Sequence, residues 1–201
     1  MHLEDRLREF QDALADQSIS DELVVQRHIV HASPFVFDGD ERLAFSLKFE
    51  ISKYFGVNPD DVKMVGSAKL GFSIAPDQLW KPFDDESDID MVIVSPEVFD
   101  RFWKQLYNFN INLTVRTKDE QIKYKKFLKY FFKGWIRPDF FPFDYPQREQ
   151  WEAFFNSISY GQYRNRKITG ALYRDMEFFE GYHVMNIGRL RLGGPVDASG
   201  E

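Results

Sequence analysis

Apolar and polar residues recur along the chain at two periods, and the change of period marks its elements. Leu3, Leu7, Phe10 and Leu14 fall at three- and four-residue spacing, which predicts an amphipathic helix over 3–16. Residues 18–37 admit two readings. Ser20 or Asp21 is placed to cap a helix through ELVVQRHIV, whereas the Val and Ile content of the same run also suits a strand. Asp38–Gly39–Asp40 reads as a turn. It launches a helix over 41–55 built on Leu43, Phe45, Leu47, Phe49, Ile51 and Phe55, which Gly56 and Asn58–Pro59 stop.

Two short strands follow. VKMVG, 62–66, ends on a glycine, and DIDMVIVS, 88–95, opens on charge and continues apolar. Pro96 suits the first turn of a helix reaching about residue 109, and a helix rich in lysine and aromatics spans 117–134. WIRPDFFPF, 135–143, is β-prone but interrupted by Pro138 and Pro142, so it reads as an edge or a short strand. A helix over 147–159 carries Trp151, Phe154, Phe155 and Ile158; KITGALYRD, 167–175, reads as a strand; a last helix covers 176–191. The expected fold is α/β of the α+β kind, a small mixed sheet flanked by helices with extra helices at both ends. The expected division is a helical segment 1–57 packed on a core 58–145, a helix-and-strand extension 146–192 and a flexible tail 193–201.

Composition narrows the chemistry. With 43% hydrophobic and 29% charged residues the chain can fill a core, and its 21 Phe supply aromatic walls. There is no cysteine, which excludes disulfides, thiolate metal sites and a thiol nucleophile and is compatible with the cytoplasm. No apolar run is long enough to span a bilayer, and the polar start MHLEDRLREF does not read as a secretory signal. Charge is uneven: residues 1–100 hold 9 Lys+Arg against 21 Asp+Glu (−12), and residues 101–201 hold 17 against 11 (+6). An acidic half suits metal and a basic half suits phosphate.

The segment VGSAKLGFSIAPDQLWKPFDDESDIDMVIVS, 65–95, carries the candidate site. Alternation in a strand puts Asp88 and Asp90 on one face, with Ile89, Val92 and Val94 assigned to the other. Two like-facing carboxylates repel unless a cation lies between them, and hard oxygen donors favour Mg²⁺ or Mn²⁺. Gly66 lets the backbone approach a ligand, and Ser67 at a helix start offers N–H and hydroxyl groups to phosphate. Gly71 and Ser73 extend this small-residue loop, and Lys69 lies within it. Phosphate donors beside a metal dyad suit a nucleoside triphosphate.

These residues resemble the nucleotidyltransferase superfamily of DNA polymerase β, in which a hydrophobic strand, a Gly–Ser pair opening a short helix and an Asp–hydrophobic–Asp strand follow one another. VKMVGS and SDIDMVIV match that order. In style they stand near the oligoadenylate and cyclic-dinucleotide synthases and the bacterial stand-alone nucleotidyltransferases. Members near those synthases carry a third Asp in a short strand, followed by two hydrophobics and a proline, and IRPDFFPF resembles this with Asp139. The resemblance covers about 62–143, with a longer stretch between Ser67 and Asp88 than is usual and with Pro138 directly before Asp139.

The resemblance implies a metal-dependent nucleotidyltransferase. Asp88, Asp90 and Asp139 would be metal ligands and catalytic residues, and Gly66, Ser67, Lys69 and Ser73 would meet the nucleotide. The acceptor would be a hydroxyl of protein, an RNA end, a nucleotide or a small molecule. By analogy the setting would be a toxin–antitoxin or antiphage system with a possible protein partner. The alternative is a catalytically incomplete nucleotide-binding or protein-interaction module of the same fold. A nucleic-acid-binding role for the basic half is a third reading, against which overall acidity argues. Within that half, Lys123, Lys125, Lys126, Lys129, Lys133 and Arg137 read as the lysine-coated outer face of an amphipathic helix rather than as a contact for triphosphate or nucleic acid; Tyr160, Arg164, Arg166, Lys167, Tyr173 and Arg174 suit either a clamp for phosphate or a base, or a basic loop before a strand.

Overall fold

A computed structural model describes residues 2–111, 116–141 and 145–193. Pro142 and Phe143 of the β-prone stretch and residues 194–201 of the tail lie outside the described residues. Among the described residues the chain is an α+β fold. Helix α1 (Leu3–Ala15) is followed by α2 (Asp21–Val24), which runs directly into a wider π-helical turn, Val25–Val30. The two-way reading of 18–37 thus resolves as helix: the Ser20 hydroxyl accepts from the Leu23 N–H, and this cap outweighs the β-branched content. Helix α3 (Glu41–Phe55) starts on an Asp40 cap and ends at Gly56 with φ +73°.

Strand β1 (Val62–Val65) leads into α4 (Gly66–Leu70), and strand β2 (Ile89–Val94) leads into α5 (Pro96–Ile111). Then come α6 (Lys118–Phe132), β3 (Trp135–Ile136), α7 (Pro146–Ile158), β4 (Ile168–Tyr173) and α8 (Met176–Arg191). The sheet order is β1-β2-β4-β3; β2 pairs antiparallel with β1 and parallel with β4, and β3 closes the far edge antiparallel to β4. Two expected strands are shorter than their apolar runs. Gly66 belongs to α4, and the β-prone stretch yields only Trp135–Ile136 before a 3-10 turn, Pro138–Phe140. Pro138 has no N–H to give the ladder, so pairing ends ahead of it.

Each face of the sheet is covered. Ile89, Met91, Ile93, Ile168 and Leu172 pack against α3, α5, α6 and α7, and Val65, Val92, Val94 and Tyr173 pack against α1, residues 24–29 and α8. Val92 and Val94 therefore lie on the same face as Asp90, not on the opposite one: the two-residue period admits no other arrangement. None of the helices among the described residues is long and apolar enough to cross a membrane.

Arg191 fastens the two ends of the chain together. Its guanidinium donates to the carbonyls of Ala13 (3.2 Å), Leu14 (2.9 Å), Asp16 (3.1 Å) and Ile19 (2.7 Å) and pairs with Asp21 at 2.6 Å. The carbonyls of Ala13 and Leu14 are orphans left in the last turn of α1, and those of Asp16 and Ile19 belong to the turn that follows it. His183, on α8, packs against Phe179 and Tyr182, and its buried Nε2 has no hydrogen-bond partner among the described residues. Burial pushes its pKa down to about 4.

Arg191→Ala should lower stability by about 3 kcal/mol, because it strands those carbonyls and leaves the half-buried Asp21 carboxylate unpaired. Urea denaturation would measure it, and Arg191→Lys, which lacks the planar fork, should recover only part. His183 predicts an acid-sensitive fold. The unfolded imidazole takes up a proton near pH 6.5 and the folded one only near pH 4, so stability falls as pH drops across that window, by roughly 3 kcal/mol at most. In His183→Leu this part of the pH dependence should be absent; identical pH profiles of wild type and variant would refute the assignment.

Candidate functional site

The site forms where β1 ends and β2 begins. In the β1–β2 register Val65 stands opposite Asp90, so Gly66 and Ser67, which follow Val65, turn at the end of the sheet that holds the carboxylates. Gly66 takes φ +66°, a left-handed conformation that L side chains avoid, and this lets the strand break at once into α4. Five residues later Gly71, at φ +97°, closes α4 with its N–H on the Ser67 carbonyl at 2.7 Å; a Cβ there would meet Leu3 and Phe35 at 2.9 Å.

The stretch between Ser67 and Asp88 folds back on itself. Ser73 donates its N–H to the Lys81 carbonyl and accepts from the Trp80 N–H, each at 2.8 Å, while Phe83 donates to the Gly71 carbonyl. Ser73 is buried, and its hydroxyl accepts from the Ala75 N–H. Lys69 is also buried. Its ammonium is bonded to the Ala32 carbonyl, and its own carbonyl accepts from Arg6 at 3.1 Å. Burial, with Lys48, Arg6 and Lys63 nearby, pushes the Lys69 pKa down to about 8. Ser73 and Lys69 thus hold the loop together from beneath, while Gly66 and Ser67 face the carboxylate end.

Asp88 and Asp90 are both half-buried, and their partners are Lys167, just before β4, and Thr169, within it. Lys167 donates to Asp88 Oδ2 at 2.9 Å, and the Thr169 hydroxyl donates to Asp90 Oδ1 at 2.5 Å. The parallel ladder sets this match, with Asp90 opposite Thr169 and the Ile89 N–H bonded to the Lys167 carbonyl. The hydrogen bond to Asp88, with the charges of Asp88, Tyr160 and Asp90, raises the Lys167 pKa against an opposing effect of partial burial.

The preceding acidic residues form a turn rather than further ligands. Asp84 accepts from Ser87 Oγ at 2.9 Å and pairs with Lys81, and these contacts lower its pKa, the Ser87 bond most. Asp85 and Glu86 are exposed. Arg166 ties this turn to β4, donating to the Asp84 carbonyl at 2.6 Å and pairing with Asp85 at 2.9 Å, with its guanidinium over Phe83. Among the described residues no group of three or more His, Cys, Asp or Glu is arranged to hold a metal ion.

Asp139 lies in the 3-10 turn after β3, which pairs antiparallel with Leu172 and Tyr173 of β4, and β4 stands between β3 and β2. Arg137 holds its carboxylate through two bonds, of 3.1 and 3.0 Å. Arg174 faces Asp100 at 3.9 Å, away from the carboxylate pair, and Tyr160 is exposed. The helical lysines Lys126 and Lys129 are exposed and sit over the rings of Phe140 and Tyr130.

Thr169 has no distinguishing signal in the sequence; only the strand register reveals it. Comparison with protein-family models, with curated proteins and with solved structures finds no match for this chain.

Proposed function

We propose that the chain binds a nucleoside triphosphate together with Mg²⁺ or Mn²⁺ at the start of β2, and that the site transfers a nucleoside monophosphate from it to an acceptor hydroxyl. The observation that carries this reading is the β1–β2 register, in which Val65, just before the Gly66–Ser67 turn, stands opposite Asp90, with Asp88 two residues ahead of it. This is the arrangement that the resemblance to nucleotidyltransferases implies. The donor set suits a hard divalent ion: two half-exposed carboxylates share a face and already draw an ammonium and a hydroxyl. Asp88 and Asp90 would hold the metal, which when bound supplies Lewis-acid polarisation of the phosphoryl group.

The chain's own groups do the rest. The N–H groups that begin α4 and the Ser67 hydroxyl receive phosphate oxygens, with Lys167 within reach of the same space. Transfer joins the acceptor oxygen to the α-phosphorus and breaks its bond to the bridging oxygen, and pyrophosphate leaves with the electron pair. Deprotonation of the acceptor falls to a third carboxylate, and Asp139 is the residue the resemblance offers. The acceptor class, whether protein, RNA end, nucleotide or small molecule, and a defence or toxin–antitoxin setting belong to the same proposal.

A specific observation favours a second reading. The residues level with Asp88 and Asp90 on the neighbouring strand are Lys167 and Thr169, not acids, and β4 separates β2 from the strand leading to Asp139. This is what a nucleotide-binding or protein-interaction module with an incomplete carboxylate set would show.

Two experiments test these readings. A ligand that binds only the native state raises its stability, so saturating ATP, GTP, CTP or UTP with Mg²⁺ should raise the melting temperature by several degrees. Asp88→Asn with Asp90→Asn should remove that shift and the binding of Mn²⁺. If none of the four nucleotides shifts the wild type, the triphosphate site is wrong. The second experiment supplies α-³²P-labelled nucleotides and cell extract to wild type and to Asp139→Asn. The enzyme reading expects label transfer by wild type, and a loss of at least about a hundredfold in the variant with nucleotide binding within a few-fold. Equal transfer by both removes Asp139 from the site; binding without transfer favours the module.

A further inference from the structure

The residue placed against Asp88 is a cation that the chain itself supplies. We infer that Lys167 acts as a built-in counterion of the carboxylate pair, which yields Asp88 to a divalent ion and turns to the triphosphate when the metal–nucleotide complex binds. The inference rests on the proposed triphosphate site and assigns Lys167 as its positioning and gating residue.

Three features make this lysine different from a surface lysine near an acid. Its backbone is fixed, because its carbonyl accepts from the Ile89 N–H at 2.9 Å in the parallel ladder. Its neighbour Arg166 is only 15% exposed and pins the 84–85 turn, so the start of β4 and the approach to Asp88 form one rigid unit. Its side chain, by contrast, is 48% exposed and ends on a carboxylate that is itself 33% exposed. A half-exposed ion pair adds little to stability, so its ammonium can leave at small cost.

Charge and geometry fix the consequence. A divalent ion on Asp88 and Asp90 meets the ammonium at the same oxygens, and two cations on one carboxylate repel. The ammonium then swings away from the metal on its flexible four-carbon stem. The Gly66–Ser67 turn lies at the same end of the sheet, so phosphate oxygens held there give the released ammonium an anion to turn toward. Lys167 therefore opposes metal binding to the bare protein and assists binding of the metal–triphosphate complex. Metal without nucleotide is held weakly, and nucleotide completes the site.

Opposite effects on two ligands distinguish this role from a structural one. Mn²⁺ alone would be titrated by its paramagnetic signal, and inorganic triphosphate with Mg²⁺ by calorimetry, for wild type, Lys167→Met and Lys167→Arg. Equal melting temperatures would verify that each variant is folded. Lys167→Met should bind Mn²⁺ about fivefold more tightly and Mg²⁺–triphosphate about tenfold more weakly, while Lys167→Arg should stay near wild type on both. Unchanged affinities in Lys167→Met, or two affinities that move in the same direction, overturn the role of Lys167 and leave the triphosphate site standing. If neither wild type nor Lys167→Met binds Mn²⁺ or Mg²⁺–triphosphate, the triphosphate site itself is refuted, and the role of Lys167 with it.

Discussion

Parallel pairing of β2 with β4 brings together residues 79 positions apart, Asp88 and Lys167 among them, and parallel strands cannot be joined by a tight turn. The chain must leave β2 at one end of the sheet and enter β4 at the other. Helices α5, α6 and α7 make up that crossover, and Val98, Phe99, Phe102, Phe127, Trp151 and Phe155 from them cover one face. The other face is left to the two ends of the chain, and Arg191 couples those ends where α1 stops. With strands on both sides and helices on both faces, β2 is apolar from Met91 to Val94. Its carboxylates stand at the one place where the sheet runs out.

Close approach holds the ladder in that register. A Cβ at Gly170 would lie 2.1 Å from Phe155 Cζ, so α7 rests directly on β4 through an aromatic ring where a side chain would otherwise stand. On the opposite face Trp135 stacks on Tyr173 at 5.3 Å, which joins β3 to β4 where only two residue pairs connect them. The abundant Phe thus acts as spacer and clamp between layers, and both contacts resist a slip that would carry Thr169 and Lys167 away from the carboxylates.

Long periodic elements were legible in the sequence because their apolar spacing follows the face they bury: α1, α3, α7 and α8 match their expected spans closely. The pair Asp88 and Asp90 and the Gly66–Ser67 turn were legible for the same reason, since two-residue alternation and a glycine after a strand are local signals. What the sequence left open was decided at a distance. The apolar run at 23–30 coils as a π-helical turn because Val24, Val25 and Ile29 must reach one layer of the core. Asp139 sits after a strand stopped by Pro138, and only the sheet order shows that β4 intervenes. Thr169 became part of the site through register alone, which no single stretch of sequence contains.

The uneven charge of the chain has a structural use that differs from the one its sequence suggests. Four residues of the basic half pair with the acidic half within the molecule: Arg166 with Asp85, Lys167 with Asp88, Arg174 with Asp100 and Arg191 with Asp21. Arg164 reaches back in the same direction, to the Phe37 carbonyl. What remains is a protein of net charge −6, whose overall field repels phosphate backbones rather than gathering them. Under the proposed function, anion recognition would therefore be local, made by N–H groups at the Gly66–Ser67 turn and by cations released from their own carboxylates. Of the four basic residues paired in this way, Lys167 is the one whose acid belongs to the proposed metal pair, and a metal ion taking its place on Asp88 would displace a half-exposed ion pair that adds little to stability.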